Sequence, residues 1–154
     1  MTAIRLADLA ATETLAARVA ALARPGDVIA LEGPLGAGKT AFARGFIAAL
    51  SASEGRPAEE VPSPTFTLVQ SYVFKRFTMH HFDLYRLSDS REARELGLED
   101  ARADGVVLVE WPDRLGAQLP SDRLHITLAP GPGPDVRMAR IEAFGSWRER
   151  WRDG

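Results

Sequence analysis

The chain has 154 residues, 45% hydrophobic and 26% charged, which suits one soluble globular domain over residues 1–154 with a sizeable core. Its net charge of −2 gives no general attraction to nucleic acid or to an anionic membrane. The absence of cysteine excludes disulfides, thiolate metal sites and cysteine nucleophiles, and the lack of a signal pattern or a bilayer-length apolar run predicts a cytoplasmic protein without a membrane segment.

The first predicted element is a helix near the start of the chain. Thr12 opens it, because Thr-Glu-Thr is a typical helix start, and apolar side chains recur at helical spacing as far as Leu22. Arg24-Pro25-Gly26 ends it, since proline cannot continue the hydrogen-bonded ladder.

The next stretch predicts a strand, a glycine-rich loop and a helix. Residues 27–32 are typical of a short buried strand, and residues 41–50 of an amphipathic helix. Between them stands the phosphate-loop pattern Gly33-Pro34-Leu35-Gly36-Ala37-Gly38-Lys39-Thr40. Glycines let backbone N–H groups approach a polyphosphate, and the helix N-terminus adds donors and positive partial charge. In such a loop the lysine reaches the β- and γ-phosphates, and the threonine hydroxyl binds Mg²⁺.

Lys39 stands out in a chain that otherwise relies on arginine. Lys39 and Lys75 are its only lysines, so a lysine occurs where the loop needs a compact, flexible point charge. We expect the Lys39 ammonium to be solvated when the loop is empty, and its removal to cost within about 0.5 kcal/mol of folding stability.

A polar connection and two strands follow. Residues 51–60 are expected to form an exposed connection, and residues 62–65 (Pro-Ser-Pro-Thr) an extended loop. Residues 66–74 and 77–82 predict two strands joined by a turn at Lys75-Arg76. The proline loop is either an ordinary connection or a switch segment that senses a γ-phosphate through its hydroxyl groups.

Titratable side chains cluster at the end of the second of these strands. Asp83 ends it, and a carboxylate there is where P-loop proteins often hold Mg²⁺ or the attacking water. His80 and His81 are neighbours on a strand and point to opposite faces. We therefore expect one to be buried and hydrogen-bonded and the other exposed, rather than a shared metal site. Residues 88–99 predict a helix with a solvated charged face.

Residues 105–110 predict a strand buried on both faces. Their four consecutive apolar residues, Val106 to Val109, are typical of a parallel sheet between helices. Glu110 therefore ends a central strand, at the edge where ligands bind in open α/β sheets. A carboxylate beside a core favours a Mg²⁺ ligand over a surface charge, which makes this a Walker B-like strand with Glu in place of Asp. Pro112 is expected to end the strand.

The last part of the chain predicts a hairpin and a short helix. Residues 124–128 and 136–142 flank a Pro- and Gly-rich loop at 130–134. Trp147 and Trp151 lie four residues apart on the terminal helix, and we expect both rings to pack on the domain. RNA stacking or partner docking is the alternative.

Four of these stretches together resemble the TsaE family, the small P-loop ATPases required for bacterial threonylcarbamoyladenosine modification of tRNA. The matching segments are Gly33–Thr40, Ser63–Val69, His81–Arg86 and Val109–Pro112, and the resemblance extends from about Thr12 to Gly145. It implies a three-layer α/β fold of the P-loop NTPase type, with a central, mostly parallel sheet and helices on both faces. ATP and Mg²⁺ are the implied cofactors.

The resemblance also assigns roles by position. Nucleotide would contact Thr12, Gly33, Gly36, Ala37, Gly38, Lys39, Thr40, Ala41 and Arg137. Mg²⁺ would be held by Thr40, Glu110 and Asp83, with Asp83 also a candidate for orienting water. The catalytic set would be Lys39, Asp83, Glu110 and, in the switch, Thr65. Two departures from the family pattern are Ala41, where a second threonine is frequent, and Lys75-Arg76, where a glycine is expected.

The implied activity is a slow Mg²⁺-dependent ATPase that partner proteins stimulate. It would act with a transferase and its partner protein at the adenosine beside the anticodon, reaching tRNA only through that complex. A stimulating arginine would come from Arg44, Arg86 or a partner. The alternatives are a small P-loop kinase and a non-hydrolysing nucleotide-gated adaptor. A GTPase is disfavoured, because its Asn-Lys-x-Asp loop has no counterpart in a chain without asparagine.

Overall fold

The computed structural model describes residues 1–57 and 68–152, in which strands are interspersed with helices. The strands are β1 (Thr2–Leu6), β2 (Val28–Glu32), β3 (Val69–Val73), β4 (Thr78–Asp83), β5 (Gly105–Glu110), β6 (Arg123–Pro130) and β7 (Arg137–Phe144). The helices are α1 (Leu9–Leu22), α2 (Lys39–Ser53), α3 (Ser90–Glu95), α4 (Leu98–Asp104) and α5 (Trp147–Arg150), and a 3₁₀ segment spans Pro112–Gln118. None of the helices in these two ranges combines the length and apolar character that crossing a bilayer needs.

One seven-stranded sheet runs through the described residues in the order β1-β7-β6-β2-β5-β4-β3. The four inner strands β6, β2, β5 and β4 pair in parallel. The outer pairs β1–β7, β6–β7 and β3–β4 are antiparallel. The expected parallel sheet is therefore confirmed at its centre, where β2 leads into the phosphate loop.

The sheet is covered by helices on both faces, as expected for a three-layer fold. Along β5, Val106 and Leu108 pack in the core under α1 and α2, whereas Val107 and Val109 pack in a second core with α3, α4 and the 3₁₀ segment. Successive strand residues point to opposite faces, so a strand buried on both sides must be apolar at every position. This burial on both faces explains the unbroken apolar run of β5.

The first helix begins earlier than predicted. α1 starts at Leu9, because the Asp8 carboxylate accepts a hydrogen bond from the Ala11 N–H at 2.9 Å and so caps the helix. Thr12 already lies within the helix and is buried, so the predicted start at Thr12 is wrong. α2 also runs past the predicted limit at residue 50, to Ser53.

The predicted helix over residues 88–99 is two helices. Gly97 has φ of 77° and separates α3 from α4, because this left-handed conformation interrupts a right-handed helix. The edge strand β1 was not predicted. Its alternating exposure is a weak signal that becomes a strand only by pairing with β7 near the other end of the chain.

The hairpins and the terminal helix agree with the predictions. β3 and β4 are joined by a turn that the Phe74 N–H closes by donating to the Phe77 carbonyl at 3.1 Å, and β6 and β7 form the second hairpin. Residues 66 and 67 of the first predicted strand lie outside the described ranges. Trp147 and Trp151 are both buried, which confirms that the two rings pack on the domain.

Candidate functional site

The glycine-rich loop leaves β2 and enters α2 through backbone conformations that only glycine adopts readily. Gly33, Gly36 and Gly38 have φ of 151°, 79° and 103°. A Cβ on Gly33 would lie 2.3 Å from the Leu128 carbonyl oxygen, so the loop also needs glycine there to pack against β6. Gly38 is the N-cap of α2 and provides no side-chain cap. The first N–H groups of the helix can therefore donate to water or to a ligand.

Lys39 is buried in this loop, contrary to the expectation that it is solvated. The residue is 5% exposed, and its ammonium donates to the Gly33 carbonyl and, at 3.0 Å, to the Pro34 carbonyl. It also lies 4.1 Å from the centre of the Trp111 ring. Burial lowers the pKa of Lys39, and the carboxylates of Glu110, Asp83 and Asp113 oppose that shift. The structure thus holds the lysine against two backbone carbonyls and an aromatic ring rather than in water.

Asp83 and Glu110 lie side by side at the ends of β4 and β5. The two residues are register partners on neighbouring parallel strands, and each is at most 4% exposed. The Asp83 carboxylate accepts from the Tyr85 backbone N–H at 3.0 Å, and the Glu110 carboxylate is bonded to the His81 ring at 2.7 Å. Because parallel strands end at one edge of the sheet, two carboxylates that are 27 positions apart in sequence meet beside the loop.

A cleft of about 320 Å³ connects the loop with these carboxylates. It is lined by Leu35, Gly36, Gly38, Lys39, Thr40, Ala41, Asp83, Tyr85, Glu110 and Trp111. Seven of the predicted site residues therefore share one cleft. Tyr85 and Trp111 were given no role from sequence, although each follows a predicted carboxylate by one or two positions. Their ring centres lie 5.0 Å apart, and they form one wall of the cleft.

The donor set of the cleft fits Mg²⁺ bound together with phosphate. Mg²⁺ prefers oxygen ligands and is usually held by one or two carboxylates, with substrate phosphate and water completing its shell. Asp83, Glu110 and the Thr40 hydroxyl supply such oxygens. Within residues 1–57 and 68–152, no group of three or more His, Cys, Asp or Glu side chains could hold a metal ion without further ligands. Phosphate oxygens would be needed to complete this site.

The remaining predicted residues lie around the cleft or beyond it. Thr12 is buried on α1 and does not line the cleft, and neither Arg44 nor Arg86 does so among the described residues. Arg137 borders the loop, since a Cβ on Gly38 would lie 3.9 Å from its Cγ, and its guanidinium donates to two carbonyls of the hairpin loop. Thr65, with the rest of residues 58–67, lies outside the described residues.

The adjacent histidines have different surroundings. His81 is fully buried and bonded to Glu110, as expected for one of the pair. His80 is only 13% exposed and pairs with Ser71 and Asp104, each at 2.7 Å, so the expectation of an exposed second histidine is wrong. The two rings point to opposite sides of the sheet and share no ligand site.

Comparisons with known proteins agree with this fold. The model of the family "Threonylcarbamoyl adenosine biosynthesis protein TsaE" matches residues 6–135. The tRNA threonylcarbamoyladenosine biosynthesis protein TsaE of Bacillus subtilis is 40% identical over 136 residues, which cover 88% of this chain and 81% of the relative. The protein of that name from Nostoc is 38% identical over 149 residues, 94% of this chain and 87% of the relative. The fold is similar to the crystal structure of Bacillus subtilis YdiB, with a TM-score of 0.77 and 35% sequence identity. The match covers 97% of this chain and 89% of the YdiB chain.

Proposed function

This chain belongs to the TsaE family, and we propose that it serves tRNA threonylcarbamoyladenosine biosynthesis as a Mg²⁺-dependent ATPase. One observation carries the proposal: a buried lysine and two buried carboxylates meet at the mouth of a phosphate loop. Burying three ionisable groups beside one another costs solvation free energy, so such a cluster is typical of a site that binds charged ligands.

The chain's own groups divide the work in this proposal. The loop glycines present N–H donors to the phosphates, and Lys39 turns from two neutral carbonyls to anionic oxygens that it binds more strongly. Thr40, Asp83 and Glu110 hold Mg²⁺, which when bound neutralises charge on the phosphates. Asp83 is also the candidate for orienting the attacking water.

We further propose that the ATPase is slow alone and works within a complex. The transferase partner performs the chemistry on the adenosine beside the anticodon, and ATP hydrolysis here supports its repeated turnover. With a net charge of −2, the chain contacts tRNA only through that complex, in the cytoplasm where tRNA is modified. Thr65 senses the γ-phosphate, and a stimulating arginine is supplied by Arg44, Arg86 or a partner.

Phosphate release with Mg²⁺·ATP tests the proposal, using Lys39→Ala against Lys75→Ala as the matched control. Lys75 is the other lysine of the chain and is exposed on the β3–β4 turn. We expect Lys39→Ala to lower turnover at least about a hundredfold, since it removes a charge that faces the transferring phosphate, and Lys75→Ala to retain it. Equal hydrolysis by both variants would contradict a phosphate-loop site.

The same assay, repeated with the transferase, its partner protein and tRNA, separates the remaining alternatives. A rate that rises on their addition supports the partner-dependent ATPase. Nucleotide binding without turnover under every condition would favour a nucleotide-gated adaptor. A fast basal rate that no partner changes, or transfer of phosphate to a small molecule, would favour a P-loop kinase.

A further inference from the structure

Strand geometry brings His81 and Glu110 onto one face of the sheet. His81 on β4 is the register partner of Leu108 on β5, and Glu110 follows Leu108 by two positions. Side chains two apart on a strand point the same way, and diagonal neighbours on adjacent strands are within reach of long side chains. The His81 Nε2 and the Glu110 Oε2 lie 2.7 Å apart.

Both partners of this hydrogen bond are buried, so water cannot readily replace either of them. His81 is 0% exposed and Glu110 is 2% exposed. The second ring nitrogen, Nδ1, is buried and has no hydrogen-bond partner within residues 1–57 and 68–152. A proton on Nδ1 would therefore be a buried donor without an acceptor. The ring accordingly carries its proton on Nε2, and this N–H donates a hydrogen bond to the Glu110 carboxylate.

The same carboxylate lines the phosphate cleft and lies near the Lys39 ammonium. A buried carboxylate without a fixed partner would have several rotamers to choose from, and its orientation would depend on the ligand that arrives. His81 removes that freedom from behind the site, because it binds one oxygen while the residue still faces the cleft. Side chains that orient ligating carboxylates in this way typically change metal affinity or activity 10–100-fold when replaced.

We propose that His81 is a positioning residue, which orients Glu110 to receive the metal ion that accompanies the nucleotide. This inference rests on the proposed function, since it assigns Glu110 to that ion. His81 is not among the described residues that line the cleft, so this role involves no direct contact with nucleotide or metal. Its effect passes through the Glu110 carboxylate.

Two amides of different reach test the hydrogen bond. His81→Gln places an amide N–H about where Nε2 lies, whereas the shorter His81→Asn reaches only about as far as Nδ1. His80→Asn is the matched control, because His80 is the adjacent residue on β4 and pairs with Ser71 and Asp104 on the opposite side of the sheet. If His81→Asn does not fold, His81→Leu replaces it as the variant without a donor.

The readouts are ADP affinity by calorimetry with and without Mg²⁺, the Mg²⁺ concentration that half-saturates ATP hydrolysis, and thermal unfolding. We expect His81→Asn to raise the half-saturating Mg²⁺ concentration about 10–100-fold and to abolish most of the gain in ADP affinity from Mg²⁺. Metal-free ADP affinity should stay within about twofold, because Lys39 and the loop are untouched. His81→Gln and His80→Asn should both resemble the unmodified protein.

The outcomes that overturn the inference are specific. One is a His81→Asn protein with unchanged Mg²⁺ dependence. Another is a His81→Asn protein whose ADP affinities with and without Mg²⁺ fall together, while His81→Gln shows the same loss, as a purely structural role would produce. A wild-type protein whose ADP affinity ignores Mg²⁺ also overturns it. Absence of hydrolysis alone contradicts the proposed ATPase but leaves the calorimetric comparison to decide the role of His81.

Discussion

At the scale of single residues, the site is a balance of buried charges. Asp83 and Glu110 are register partners at the ends of two parallel strands, and Lys39 is buried beside them while contacting the Trp111 ring. Burial lowers the pKa of Lys39 by disfavouring its charged form, and the carboxylates oppose the shift by favouring that form. The positive charge of Lys39 offsets that of the two carboxylates, whereas the carboxylates repel each other, so replacing any one of the three changes the balance.

Asp83→Asn and Glu110→Gln are expected to reduce turnover far more than metal-free ADP binding. Each amide retains the size of the carboxylate but loses the charge that holds the metal or aligns water, and a loss of about a hundredfold or more in turnover would follow. Steady-state hydrolysis and ADP titration of the two variants measure this. Normal hydrolysis by both, with Mg²⁺ present, would show that the metal assignment is wrong.

Burial also revises the expected stability of Lys39→Ala. The ammonium donates to the Gly33 and Pro34 carbonyls, so alanine leaves acceptors without their donor. A cost of about 1–3 kcal/mol is more reasonable than the few tenths expected for a solvated lysine. The activity assay on this variant therefore needs a melting curve beside it.

At the scale of elements, the phosphate loop depends on glycine for two separate reasons. Gly36 has φ of 79° but open space around its missing Cβ. Gly33 has φ of 151°, and its Cβ would also meet the Leu128 carbonyl oxygen at 2.3 Å. Gly36 thus serves conformation, whereas Gly33 serves the close approach of the loop to β6.

The two glycines should consequently respond differently to alanine. Gly36→Ala is expected to cost about 1–2 kcal/mol, the strain of a side chain in the left-handed region. Gly33→Ala should cost more, about 3 kcal/mol or above, because backbone of β6 must move to relieve the overlap. Urea unfolding of both variants without nucleotide compares them, and equal losses would indicate that the loop can move away from β6 at little cost.

At the scale of the whole molecule, the last helix is tied to the start of β2. The Arg150 guanidinium donates to both carboxylate oxygens of Asp27, each at 2.6 Å, although the residues are 123 positions apart. Each side chain is 7% exposed. The arginine also lies 4.0 Å from the centre of the Trp147 ring on the same helix, so Arg150 joins α5 to the start of β2.

Arg150→Gln is expected to destabilise the fold by about 3 kcal/mol, because it leaves the Asp27 carboxylate buried without its cation. Arg148→Gln is the control, since Arg148 is exposed on the same helix, and it should change stability by less than about 0.5 kcal/mol. Chemical denaturation of the two variants decides the matter. A loss in Arg148→Gln as large as that in Arg150→Gln would point to helix propensity rather than the ion pair.

The features that local sequence patterns encode could be predicted before the fold was known. The phosphate loop follows from glycines, a lysine and a threonine at fixed positions within eight consecutive residues. The burial of β5 on both faces follows from its unbroken apolar run. Asp83 and Glu110 were correctly placed at strand ends, and their meeting followed from the parallel sheet. Those inferences succeed because each depends on neighbours within a few residues and on one rule of topology.

Contacts between distant segments could not be predicted in this way, because they arise from the packing of the whole fold. The pairing of β1 with β7, the bond from His81 to Glu110 and the burial of Lys39 against Trp111 each join segments that are far apart in the chain. No periodicity marks such contacts, because they depend on which faces the packed strands present and on how closely the loop approaches them. Burial follows from that packing, and it turned a lysine expected in water into one held by carbonyls and an aromatic ring.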